Sequence, residues 1–202
     1  MNSQSARCAL ARQIIKDCKM ARIIETGTFF GTTTEFFAAF GLPVVTVELN
    51  PAYAAQSRER LKALKNVRLL EMDSISAMRE LVQDRSDRSV PTLFYLDAHW
   101  EQHLPLRAEA ELAVSNFPKA VLMIDDFKVA GDPGYSFDDY GPGKRLDLDY
   151  LRASNLPELT VYFPSTPSHR EDGAHRGCVV ATANPEMAAI LDRIALLRRW
   201  GG

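Results

Sequence analysis

The sequence predicts an α/β protein built on a doubly wound, mostly parallel sheet. Three observations carry that expectation. Apolar, β-branched runs alternate with helix-length amphipathic segments through residues 22–124, the rhythm of successive βαβ units. Glu25, Glu48, Asp97, Asp125 and Asp126 each fall at or just after the end of a strand-like run, and in an open parallel sheet ligands bind outside those carboxyl ends. Beyond residue 158 two strand-like runs follow with only a loop between them, too close for a parallel crossover, so they should pair antiparallel.

Each element has its own justification. Leu10, Ile14 and Ile15 recur at helical spacing among charges, which predicts an amphipathic helix over 4–19, within the N-terminal segment 1–20. Arg22-Ile23-Ile24-Glu25 is a short apolar strand, followed by a glycine loop and a helix over 32–40. Residues 43–48 read as a buried parallel strand. Pro51 suits a first helical turn, and AYAAQSRERLKAL behind it is made of strong helix formers. Residues 67–71 form the third strand and 74–82 its helix, with DRSDRS as a polar connector. Residues 92–97 form the fourth strand, LRAEAELAVSNF the helix behind it, and 120–124 the fifth strand.

The rhythm then breaks. VAGDPGYSFDDYGPGK is rich in Gly, Pro, Asp and aromatics, a turn-laden excursion over 129–144 that suits either a substrate lid or an ordinary surface loop. A helix over 145–153, the strands LTVYFP and GCVVATA, and a closing helix over 185–199 complete a single domain over 1–202, with RRW as the solvated end of that helix.

Composition narrows the function. A chain of 202 residues with 46% hydrophobic content can bury a sizeable core. Its net charge of −2 supplies no basic stripe, so nucleic acid is not expected as the main partner. No run approaches a membrane span, and the N-terminus has no long apolar stretch of the kind a secretory signal needs. Cys8, Cys18 and Cys178 match no metal spacing or disulfide framework, which predicts free thiols in a cytoplasmic protein.

The glycine loop carries the first chemical signal. Glu25-Thr26-Gly27-Thr28-Phe29-Phe30-Gly31 is E-x-G-x-x-x-G, not the G-x-G-x-x-G of dinucleotide binders. Gly27 can turn tightly and Gly31 lets the chain approach a ligand. An acid beside the first glycine repels phosphate and attracts an ammonium or sulfonium. Glu48, ending the second strand, can accept two ribose hydroxyls, and Asp73 follows the third strand within reach of an adenine amino group.

At these residues the chain resembles the class I S-adenosylmethionine-dependent methyltransferases, over roughly residues 20–130. That resemblance implies a Rossmann-like, seven-stranded sheet with a terminal antiparallel strand. It implies S-adenosylmethionine as cofactor, held by Glu25, Gly27, Thr28, Phe29, Gly31 and Thr32 in the loop, Glu48 at the ribose, Asp73 and Ser74 at the adenine, and Asp97.

Asp97, Asp125 and Asp126 close two strands expected to be neighbours about 4.8 Å apart, so their carboxylates can converge. Mutual repulsion would be relieved by a divalent cation, and an all-oxygen set favours Mg²⁺ or Mn²⁺. The pattern YLDAHW with MIDDF resembles metal-dependent O-methyltransferases of the catechol and macrocin types. The macrocin type takes an acid two residues beyond the first ligand as general base, and His99 stands there; the catechol type uses a lysine where this chain has Trp100. The expected reaction is therefore O-methylation of a small hydroxylated acceptor, with Asp97 and His99 as catalytic residues and His99 as base. A metal-independent N- or O-methyltransferase and a non-catalytic nucleoside-binding module stay open, as does a homodimer.

Overall fold

In a computed structural model, residues 1–84, 88–100, 103–152 and 155–201 are described; part of the DRSDRS connector and Ala153 lie outside them. Helix α1 (Ser5–Asp17) buries Leu10, Ala11, Ile14 and Ile15 along one stripe, as its spacing requires. Strands β1 (Arg22–Thr26), β2 (Val44–Glu48) and β3 (Val67–Glu71) alternate with α2 (Thr32–Ala38) and α3 (Pro51–Leu61). Asn50 caps α3 by accepting the Ala52 N–H at 2.9 Å, and Pro51 occupies the first turn, where its missing N–H is no loss. Helix α4 (Ser74–Gln83), β4 (Thr92–Leu96), α5 (Leu106–Asn116) and β5 (Ala120–Asp125) continue the alternation.

The remainder holds α6 (Leu148–Arg152), β6 (Thr160–Pro164), β7 (Cys178–Thr182), α7 (Pro185–Leu191) and β8 (Leu197–Arg199). The sheet has eight strands in the order β3-β2-β1-β4-β5-β7-β6-β8. Strands β1 to β5 pair in parallel, and β7 enters antiparallel between β5 and β6, as the short connection between the last two predicted strands requires.

Two expectations fail at the C-terminus. The sheet is not seven-stranded, and the closing helix does not run over 185–199. It ends at Leu191, and Leu197–Arg199 forms an antiparallel edge strand on β6, with Phe163 opposite Arg198. Trp200 packs edge-on against Phe163, ring centres 5.7 Å apart, instead of capping a solvated helix. A short mixed run can pair as a strand wherever an unpaired edge is offered, and periodicity alone does not reveal the offer.

The two faces of the sheet bury separate clusters. Alternate strand residues Ile23, Leu93, Tyr95, Val121 and Met123 pack with α1 and α7 residues on one side. Ile24, Phe94, Leu96, Leu122 and Ile124 pack with α4 and α5 residues on the other. This three-layer arrangement leaves the carboxyl ends of β1, β2, β4 and β5 side by side at one edge.

Candidate functional site

Backbone contacts tie the glycine loop to both neighbouring strands. Gly27 adopts φ +82, and a Cβ there would lie 2.3 Å from the Asp97 carbonyl oxygen, so only glycine lets the β1 loop lie against the β4 loop. The Gly27 N–H donates to the Val47 carbonyl at 2.9 Å, tying the same loop to β2. Phe29 is also left-handed, at φ +50, and its N–H donates to Glu48 Oε2 at 2.7 Å. Glu48 accepts the Asn50 N–H on its other oxygen at 2.8 Å. Both carboxylate oxygens are thereby fixed in place at the end of β2.

Glu25 is fully buried, and burial pushes its carboxyl up to about 7. Thr34 and Thr46 donate to its Oε2 at 2.5 and 2.7 Å, opposing that rise, while Oε1 has no hydrogen-bond partner among the described residues. Thr28 shares a 2.6 Å hydroxyl contact with Thr46, Gly31 begins α2, and Thr32 is exposed on its first turn. Asp73 caps α4, accepting the Ser76 N–H at 2.9 Å, and the Ser76 hydrogen bonds hold its carboxyl low; Ser74 beside it is buried.

The three aspartates divide. The carboxylates of Asp97 and Asp126 and the ring of His99 bring one ligand atom each within 4.8 Å of one another. Asp97 is pushed well above the usual carboxylate range, by burial first and by the Asp126 charge second. His99 is lowered, again by burial first, against the pull of Asp126 and Asp138.

Asp125 does not join this cluster, contrary to its expected role as a ligand. It is the last residue of β5, and its side chain points to the α1 face, where the fully buried Arg7 pairs with it. Tyr95 and Asn2 also donate to it, and so does the Asp126 N–H at 2.9 Å. Successive strand residues face opposite sides, so neighbouring aspartates at a strand end part company. Asp126 departs from the strand at φ +52, a conformation aspartate tolerates better than most residues.

Several participants carried no motif. Asp138, from the 129–144 segment, accepts from Tyr140 and Arg176, and its Oδ2 lies 3.8 Å from His99 Nε2. The Asp138 N–H donates to the Asp126 carbonyl at 2.9 Å, which stitches that segment across the end of β5. Arg176 donates through Nε to Asp126 at 2.6 Å. Glu109 on α5 is wholly buried and raised to about 7, against the pull of the Ser74 and Thr26 hydroxyls. Trp100 is 73% exposed, and its backbone pairs with that of the exposed His103.

Several solved structures share this architecture. One is an O-methyltransferase of Klebsiella pneumoniae, described as putative: 20% identity, TM-score 0.63, covering 89% of this chain and 80% of that one. The chain shares its fold with this O-methyltransferase. The same methyltransferase fold occurs in TomG of Streptomyces achromogenes, solved with S-adenosylmethionine: 17% identity, TM-score 0.61, covering 89% of this chain and 78% of that one. It occurs too in the Bacillus cereus O-methyltransferase solved with S-adenosylhomocysteine: 18% identity, TM-score 0.59, with coverage of 87% and 78%. No protein-family model and no curated protein matches the sequence. Among the described residues, no helix of this methyltransferase fold is long and apolar enough to cross a membrane.

Proposed function

We propose that the protein transfers a methyl group from S-adenosylmethionine to a hydroxyl of a small acceptor, with a divalent cation held at the acid edge. One observation carries this reading. The glycine loop of β1 lies directly on the β4 loop, where a Cβ on Gly27 would strike the Asp97 carbonyl, which supports a cofactor loop and an acid edge facing one another.

The residues present fit both groups. Glu25 offers a buried carboxylate oxygen with no hydrogen-bond partner among the described residues, a match for the cofactor's ammonium. Glu48, fixed by two backbone N–H groups, keeps lone pairs for ribose hydroxyls. Asp97, His99 and Asp126 would hold the cation. When bound, the cofactor supplies an electrophilic methyl group, and the cation supplies charge that acidifies a hydroxyl.

The chain's own contribution is chiefly placement. A fixed Glu48 and a glycine loop pinned to both neighbouring strands orient one reactant against the other, and such alignment is worth about 7–11 kcal/mol of a barrier at best. Burial lowers His99, so near neutral pH its ring offers a lone pair, to the acceptor's proton or to a cation.

A specific observation favours a second reading. Arg7 already neutralises Asp125, and Arg176 already bridges Asp126 and Asp138, so the edge has resident cations. Methyl transfer would then be metal-independent. Turnover of a confirmed acceptor, before and after EDTA and with Mn²⁺ or Mg²⁺ restored, separates the two. Activity abolished by chelation and restored by the ion supports the first reading; full activity in EDTA removes it.

A further inference from the structure

Asp125 is engaged on both oxygens, by an ion pair and by hydrogen bonds. A carboxylate offers about four acceptor sites, and here Arg7 and the Asp126 N–H take Oδ1 while Tyr95 and Asn2 take Oδ2. His99 is the opposite case. Its side chain is 1% exposed, neither ring nitrogen has a hydrogen-bond partner among the described residues, and Nε2 points between Asp97 and Asp138 at 3.9 and 3.8 Å. A buried imidazole without a partner is costly unless something takes its lone pair.

We propose that His99, in place of Asp125, completes the cation site with Asp97 and Asp126, and that this mixed nitrogen–oxygen site takes Co²⁺, Ni²⁺ or Zn²⁺ in preference to Mg²⁺ and Ca²⁺. The proposal rests on the acid edge being a cation site, not on methyl transfer itself. An all-aspartate set would favour the hard cations. One imidazole shifts the preference, because nitrogen ligands bind first-row metals in the order that rises from Mn²⁺ to Cu²⁺, whereas Mg²⁺ and Ca²⁺ hold to oxygen. His99 then has no free Nε2 with which to act as base.

Titration calorimetry on the metal-free full chain tests this without any acceptor. Co²⁺ and Zn²⁺ should bind roughly tenfold or more tightly than Mg²⁺ and Ca²⁺. His99→Ala should weaken Co²⁺ binding by at least the roughly 10–100-fold that even outer-shell partners command. The paired variant Arg7→Met with Asp125→Asn, which leaves no buried charge uncompensated, should stay within about threefold of the parent. In the unaltered chain labelled with ¹⁵N-imidazole, Zn²⁺ should shift the His99 Nε2 resonance, a readout that does not depend on any variant folding.

Equal affinity for Mg²⁺ and Co²⁺, parental affinity in folded His99→Ala, a large loss in the paired variant, or an unmoved His99 resonance would each overturn the proposal. A parallel titration with S-adenosylhomocysteine separates the two readings. Cofactor binding without Co²⁺ binding overturns this proposal alone, and Co²⁺ binding without cofactor binding overturns methyl transfer alone.

Discussion

At the scale of single residues, the site depends on carboxylates whose environments differ sharply. Glu48 is the simplest to test. Its two oxygens are positioned by the Phe29 and Asn50 N–H groups at the end of β2, and hydrogen bonds to charged groups are worth about 1.5–3 kcal/mol. Glu48→Ala should therefore weaken S-adenosylhomocysteine binding by roughly that amount, read by calorimetry; unchanged affinity would remove Glu48 from the ribose position. Glu109 makes a second test through pH. Its carboxyl sits at about 7 in the folded chain against an ordinary value of 4.5, so the native chain binds the extra proton between those values. Stability from this group is thus fully present below 4.5 and is lost as pH rises toward 7. Glu109→Gln should flatten that part of the stability profile and leave the variant relatively more stable above pH 7 than below 4.5, measured as the difference in urea midpoint between parent and variant. An identical pH profile in the two proteins would mean that Glu109 is not the buried acid described.

At the scale of elements, α1 does more than cover the sheet. Arg7 reaches from it to Asp125 at the end of β5 and also donates to the Arg176 carbonyl, so the N-terminal helix anchors the strand end that presents Asp126. Breaking a buried pair by removing one partner typically costs about 3–5 kcal/mol, because the other charge stays buried and alone. Arg7→Met by itself should lower the unfolding free energy by about that much, and adding Asp125→Asn should restore a large part of it. Chemical denaturation of the single and paired variants decides; equal destabilisation in both would show that the two charges do not depend on each other. None of this was legible in sequence. Arg7 lies 118 positions before Asp125, on a helix whose charges read as a solvated face, and the chain gives no signal that one of them turns inward. Asp125 and Asp126 were recognisable as acids at a strand end, yet which of them faces the site is decided by strand alternation plus the left-handed turn at Asp126.

At the scale of the whole molecule, the three cysteines are free, with Cys18 and Cys178 buried and Cys8 partly accessible. Burial raises both inner thiols, Cys18 to about 12 and Cys178 above its ordinary value, so neither is a ready nucleophile. A thiol reagent should accordingly modify Cys8 first in the native protein and reach all three only on denaturation; a denatured, unreduced count of one would mean a disulfide. The parallel core of the sheet was legible because its strands are buried on both faces and read as continuous apolar runs, while the helices between them keep their own period. The glycine loop was legible for a local reason too: two glycines, an acid and a strand end lie within a few residues of one another. The eighth strand was not, since Leu197–Arg199 becomes a strand only by meeting the free edge of β6. The composition of the acid cluster was likewise decided in three dimensions. Asp138 and Arg176 come from loops with no recognisable pattern, and they reach His99 and Asp126 only because β7 folds back beside β5. What the sequence determined by itself is the fold's period and the local chemistry at each strand end. Which of those side chains share one site is a matter of distances between segments far apart in the chain, and only tertiary packing sets them.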